Sequence, residues 1–270
     1  LRLEGAVLPW ELEQLRADLF RLIDDDSTDA VVLRINSPGG LAEGCSEAAE
    51  LLRRVGKKKR TIAICEGYCC SAAYWIASAA REVVATPSTL IGSCGAVAVL
   101  IDESAFFAEL GVTVHAVASA EAKTTGIPGL PVGEADLARV QRLIDQTATQ
   151  FLRDVGRSSR MTDQQLLAAF RSADVFLAAD AMANGYIDRV ELAEDTLAAI
   201  DRSSEPSYAN LHGSEATAKY RELVETAAKC DWWSADPTHF AKVDKQFPLL
   251  AERAKQHEAD RLSRQLNRSV

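Results

Sequence analysis

The sequence predicts an α/β fold built on a parallel sheet. Short β-branched runs alternate with amphipathic stretches, and the first two runs each end in a glycine-bearing turn that opens a helix. Composition agrees with this: 47% of the 270 residues are hydrophobic and 26% charged. That is apolar material for one large domain, or for a domain of about 200 residues with an appendage.

In order along the chain, a short opening stretch "LRLEGAV" precedes "PWELEQLRADLFRLIDD", whose apolar residues at 12, 15, 19, 22 and 23 form a helical stripe with Pro9 near its start. "DAVVLRIN" (29–36) reads as a buried strand broken by "SPGG", and "LAEGCSEAAELLRRVG" as a helix closing at Gly56. "TIAICE" is the next strand and "SAAYWIASAA" a short helix. This repetition is the grammar of parallel βαβ units and puts the turns 37–40 and 67–71 at strand carboxyl ends, where such folds build sites. "EVVAT", "AVAVLID" (96–102) and "VTVHAVA" (112–118) extend the strand series. A long helix follows at about 134–157, then "TDQQLLAAFRS" with Thr162 as a candidate N-cap, then "AADAMANGYIDRV", a helix ended by Gly185 and a last strand. The polar stretch 202–214 is the best linker, which gives a domain at 1–201 and a helical C-terminal extension at 215–270.

A formal net charge of −9 opposes a nucleic-acid partner, and the basic run "RRVGKKKR" (53–60) between a helix and a strand reads as a solvated turn. The six cysteines (45, 65, 69, 70, 94, 230) show no metal-ligand spacing, and adjacent Cys69 and Cys70 suit no ordinary disulfide, so they read as small buried thiols in a reducing compartment. No metal or cofactor is expected. No membrane span is expected in this chain either, although it begins with Leu1, which leaves an upstream segment and membrane attachment open. The expected location is the cytoplasm, a phage procapsid included.

Two readings stand for Ser71, which lies among small residues at a helix start: a structural N-cap, or a nucleophile kept accessible by its neighbours. "INSPGG" is likewise either a plain strand-to-helix turn or a bare backbone whose amides approach a reacting oxygen. Of the four histidines (115, 212, 239, 257), three lie at or beyond the linker and His115 sits in a strand-like run, so a Ser-His-Asp arrangement has little to draw on. A lysine kept neutral by apolar surroundings is the alternative base. Lys123 is isolated between the basic turn and residue 218, and it is either that base or a solvated surface residue.

The segments "INSPGG", "GYCCSAAYWIASAAREVVATPSTLIGSCGAV" and "AEAK", in this order, resemble the S49 serine peptidases, the group of signal peptide peptidase A and the phage head maturation proteases; the similarity runs from about residue 1 to 192. The resemblance implies a ClpP/crotonase fold, a superhelix of repeated β-β-α units, and a Ser-Lys dyad: Ser71 as nucleophile and Lys123, 52 positions later, as base. It implies Ser93 as the residue that orients the lysine, and the backbones of Gly40 and Ala72 as the oxyanion hole. It further implies a peptide or protein substrate and a homo-oligomeric ring or dome in which neighbouring subunits complete each site. Cys69, Cys70 and Cys94 depart from the family's usual small or aliphatic residues and bring thiols near the site, where oxidation would inactivate. The helical extension favours a soluble capsid maturation protease over a peptidase that degrades membrane-released signal peptides. A crotonase-like acyl-CoA enzyme and a catalytically silent scaffold component are the readings from other classes.

Overall fold

The computed structural model describes residues 1–158 and 160–204, together with Ser214, Glu215, Thr217, Ala218, Lys219 and Glu222. Leu1–Leu197 form one compact unit, and a second begins at Ala198. The few described residues after 213 are helical. The expected linker at 202–214 falls partly on the last helix, Ala193–Ser204 (α8), and otherwise, like most of the extension at 215–270, lies outside the described residues.

The first unit runs β1 (Arg2–Val7), α1 (Pro9–Ile23), β2 (Ala30–Gly40), α2 (Cys45–Lys58), β3 (Arg60–Cys70), α3 (Ala72–Ala77), β4 (Glu82–Ala85) and β5 (Leu90–Gly92). It continues with α4 (Ser104–Glu109), a 3-10 turn at Glu121–Thr124, α5 (Glu134–Gly156), α6 (Asp163–Ser172), β6 (Val175–Leu177), α7 (Ala178–Ala183) and β7 (Arg189–Val190). The sheet order is β1-β2-β3-β4-β7, all parallel, with β5 also on β3 and β6 antiparallel to β5.

The strands form where the side chains demand burial. Val31, Leu33 and Ile35 alternate into the core from β2, and Ile62 to Cys65 of β3 are buried without a break, as expected of a strand covered on both faces. Leu12, Leu15 and Leu19 of α1, and Ala48, Ala49, Leu52 and Val55 of α2, meet this sheet. Thr162 caps α6 reciprocally: the Gln165 N–H donates to its hydroxyl at 3.3 Å and its own N–H donates to Gln165 Oε1 at 2.9 Å.

Beyond Ile35↔Cys65 the β2–β3 register slips, and the next pair is Ser37↔Cys69. Two steps on β2 therefore span four on β3, which throws Glu66 to Tyr68 outward as a bulge whose Tyr68 N–H is held by Asn36 Oδ1 at 3.1 Å. Below the bulge β3 pairs with β4, and above it with β5. The sheet thus changes partner between Cys65 and Tyr68, and the new ladder runs up to Cys70, next to Ser71.

The structure corrects the sequence reading in two ways. "SPGG" and "GYCC" do not end strands 2 and 3; they continue them, because β1, formed by the opening stretch, supplies a partner for Gly39 and Gly40, and β5 supplies one for Tyr68 to Gly92's neighbour Cys70. The expected strands at 96–102 and 112–118 are not strands here. Alternation makes them suited to a sheet, but a strand exists only with a neighbour to bond, and the described residues offer none there. From Gly95 to Gln150 no residue is buried.

Candidate active site

Ser71 joins β3 to α3 with φ 52° and ψ −123°, a conformation that costs a non-glycine residue about 1–3 kcal/mol. Its N–H donates to the Gly92 carbonyl at 2.9 Å and its carbonyl accepts from the Trp75 N–H at 2.9 Å, so ladder and helix together impose the bend. The hydroxyl makes no capping hydrogen bond to α3. Ser93, also at positive φ (54°), follows Gly92 directly and is fixed by its N–H to the Asp174 carbonyl at 2.8 Å.

The two glycines have separate duties. Gly39, at φ +101°, runs so close to the serine that a Cβ there would stand 2.7 Å from Ser71 Cβ and 2.8 Å from the Cys70 carbonyl oxygen. A Cβ on Gly40 would collide with the Val7 main chain. Leu41 N–H donates to the Val7 carbonyl at 2.9 Å, so the preceding amide, that of Gly40, faces away from β1. Ala72 opens α3, and its N–H has no acceptor within the helix.

Ser71, Ser93, Gly40 and Ala72 line one cavity of about 350 Å³, whose other walls are Leu41, Ala42, Val97, Ile144, Phe151 and Trp75. The Trp75 and Phe151 rings stack with centroids 4.6 Å apart and planes within 5°. An uncapped hydroxyl, the main chain of Gly40 and Ala72 at its side, and a recess with apolar walls are the parts needed for acyl transfer.

The thiols beside the serine are buried. A hydrogen bond with Cys65, together with burial, pushes the Cys69 thiol well up, and burial raises Cys70 and Cys94. All three stay protonated at neutral pH, so none competes with the serine as nucleophile.

Lys123 stands elsewhere. It is exposed on the 3-10 turn and borders a separate surface hollow with Val114, His115, Val117 and Ile127; no residue between 97 and 144 reaches the Ser71 cavity. The apolar enclosure expected around a lysine base is therefore not supplied by the described residues. Thr125, next to the turn, donates to Asp136 Oδ1 at 2.5 Å, which ties the lysine segment to the start of α5; this bond, with Arg139 and the Gly133 N–H, lowers the Asp136 carboxyl to about 2.

Sequence reasoning passed over Gly39, Trp75 and Asp154. Trp75 was within reach: four residues after Ser71, it shares the serine's helical face. Gly39 was hidden by its neighbour in "PGG", and nothing local marks Asp154, whose partners are 79 and 108 positions away.

Among the described residues no helix is long and apolar enough to cross a membrane, and no three His, Cys, Asp or Glu side chains are grouped to hold a metal ion. The Clp protease family model matches residues 7–92, in keeping with the parallel sheet: the fold is ClpP-like. The chain is 26% identical to a protein named as a protease from Methanocaldococcus jannaschii, over 66% of this chain and 57% of that one. It is 27% identical to protease 4 of Haemophilus influenzae over 70% of this chain and 32% of the relative. With the capsid assembly protease C of Escherichia phage lambda it shares 24% identity over 82% of this chain and 49% of the relative. The chain thus spans from about a third to somewhat over half the length of these curated relatives. The peptidase family S49 model matches residues 53–205, more than half of the 270, and the chain belongs to that family.

Proposed function

We propose that this chain is a serine endopeptidase that cuts unfolded or extended polypeptides with a Ser71-Lys123 dyad, the lysine being delivered by a neighbouring copy. The observation that carries the reading is Ser71 itself: a strained, uncapped serine facing an apolar recess beside the Gly40 and Ala72 amides. Ser71 Oγ attacks the peptide carbonyl as its proton passes to the Lys123 amine, the two amides hold the oxyanion, and the ammonium then protonates the leaving amine. Water repeats the sequence on the acyl-enzyme and restores the serine. Ser93, adjacent to Ser71 through the β3–β5 ladder, orients the incoming lysine.

Delivery in trans is favoured by the stretch that carries the lysine. From Gly95 to Gln150 nothing is buried, while Val97, Val99, Ile101 and Val117 are exposed, two strand-like runs lie unpaired, and Phe106 and Leu110 project from or beside α4. Among the described residues nothing gives this segment an interior, and a ring of identical chains would provide one. The similarity to the lambda capsid protease extends over more of this chain than that to protease 4, which favours capsid or scaffold proteins as substrates over released signal peptides.

The test uses the purified chain on an unfolded protein and on a phage coat protein. Ser71→Ala and Lys123→Ala each abolish cleavage, and mixing the two inactive variants restores part of it. Cleavage by Lys123→Ala alone shows the base to be another group. No cleavage by the wild type, in any assembled form, turns the reading to a silent scaffold component.

A further inference from the structure

Trp75 is 3% exposed and belongs both to the core and to the wall of the Ser71 cavity. Two groups one turn apart on α5 fix its indole. The Phe151 ring stacks on its face and is itself buttressed edge-on by Phe170, with centroids 4.9 Å apart at 83°. Asp154, 7% exposed, takes the indole N–H on Oδ2 at 2.9 Å. The same oxygen accepts from Ser46 Oγ at 2.7 Å, and Gln150 donates to that hydroxyl at 2.9 Å. Arg53 and Arg157 stand 3.7 Å and 3.8 Å from Oδ1.

A stack alone fixes the plane of an indole but not its rotation within that plane, since either edge satisfies the face contact. The N–H bond chooses the edge. A buried carboxylate costs free energy unless it is fully partnered, so this network holds its geometry against disturbance, and the geometry it holds is that of a cavity wall. The recess of about 350 Å³ must take the main chain around the cut as well as one side chain. The indole in place bounds the room left for that side chain.

We infer that Asp154 is a positioning residue that, through Trp75, sets the size of the substrate side chain accepted beside Ser71, admitting leucine and refusing phenylalanine. This inference rests on the peptidase reading above.

The experiment compares peptides that differ only in having Ala, Leu or Phe before the cut. Wild-type kcat/KM favours Leu over Phe by about tenfold or more, the discrimination a shaped apolar pocket gives. Asp154→Leu, which removes the acceptor at similar volume, lowers that ratio about tenfold while the Ala peptide changes little, and Asp154→Asn, which keeps an acceptor, preserves the ratio. In a Trp75→Phe background, with no N–H to hold, Asp154→Leu has no further effect on the ratio. Equal loss on all three peptides, or an Asp154→Leu effect that persists without the indole, overturns the inference. If Asp154→Leu does not fold, Trp75→Phe decides alone: an unchanged Leu-to-Phe ratio overturns it. If the wild type cleaves nothing, calorimetric binding of the Leu and Phe peptides to Ser71→Ala replaces kinetics. A preference there that Asp154→Leu abolishes supports the pocket while the peptidase reading fails, and no preference rejects the pocket.

Discussion

Replacing Gly39 by alanine tests the frame around the nucleophile. The backbone at φ +101° costs an alanine about 1–3 kcal/mol in strain. Its Cβ would add contacts of 2.7 Å with Ser71 Cβ and 2.8 Å with the Cys70 carbonyl, both far inside ordinary van der Waals separation and both against residues fixed by the β3–β5 ladder. Overpacking of that kind costs about 1–3 kcal/mol more, so Gly39→Ala loses about 2–6 kcal/mol in total. Gly5→Ala is the matched control: φ is +77° and nothing lies within 4 Å of the added methyl, so it shows the strain alone. Urea unfolding in a Ser71→Ala background, free of self-cleavage, measures both. Ser71→Gly in place of Ser71→Ala removes the closer of the two clashes, so that exchange stabilises the Gly39→Ala protein by about 1 kcal/mol more than it does the protein that keeps Gly39. A Gly39→Ala protein no less stable than Gly5→Ala, or one that Ser71→Gly does not rescue, refutes the claim that the two strands interlock at the serine.

The cysteines give a pH test. Burial pushes the Cys45 thiol up to about 12 from 9.0, so its contribution to stability is complete below pH 9 and is lost as pH rises toward 12; the melting temperature therefore falls above pH 9, less steeply in Cys45→Ala, as calorimetry will show. At pH 8 iodoacetamide leaves Cys45, Cys69, Cys70 and Cys94 unlabelled until the protein is unfolded, with labelling of the native protein read by mass spectrometry as the contrary result. Arg160, whose side chain is 8% exposed, donates to the Ser78 and Ala80 carbonyls at 2.8 and 2.6 Å and pairs with Asp188 at 2.7 Å. Arg160→Met leaves these unpaired and costs about 2–4 kcal/mol in urea unfolding; a loss under about 0.5 kcal/mol contradicts the assigned role.

The helices were readable because their determinants are local. The stripe Leu12, Leu15, Leu19 and the Thr162–Gln165 cap each lie within a few turns of chain, where spacing alone dictates geometry. Strand tips were not. Whether "SPGG" is a turn or a strand depends on β1, more than thirty positions earlier, and whether 96–102 is a strand depends on a neighbour that the described residues do not supply. The same division runs through the site. Small neighbours at a strand end make Ser71 a candidate, the family resemblance adds Gly40, Ala72 and Ser93, and the structure gathers all four at one cavity. Lys123 stands out by isolation and resemblance, and among the described residues it does not line that cavity; the proposed dyad needs a neighbouring copy to bring it there. Asp154 reaches Trp75 only through tertiary packing, so no window along the chain displays it.

Ser71 hangs on a ladder that opens only when the central sheet comes apart, whereas Lys123 rides on a stretch without an interior. In hydrogen-exchange terms the two halves of the proposed dyad sit at opposite ends of the opening scale. If the proposed dyad is the catalyst, gentle warming or dilute denaturant extinguishes catalysis while the sheet's amides are still protected. On the proposed reading a solitary chain stays idle for want of its neighbour's lysine, so assembly rather than synthesis switches proteolysis on.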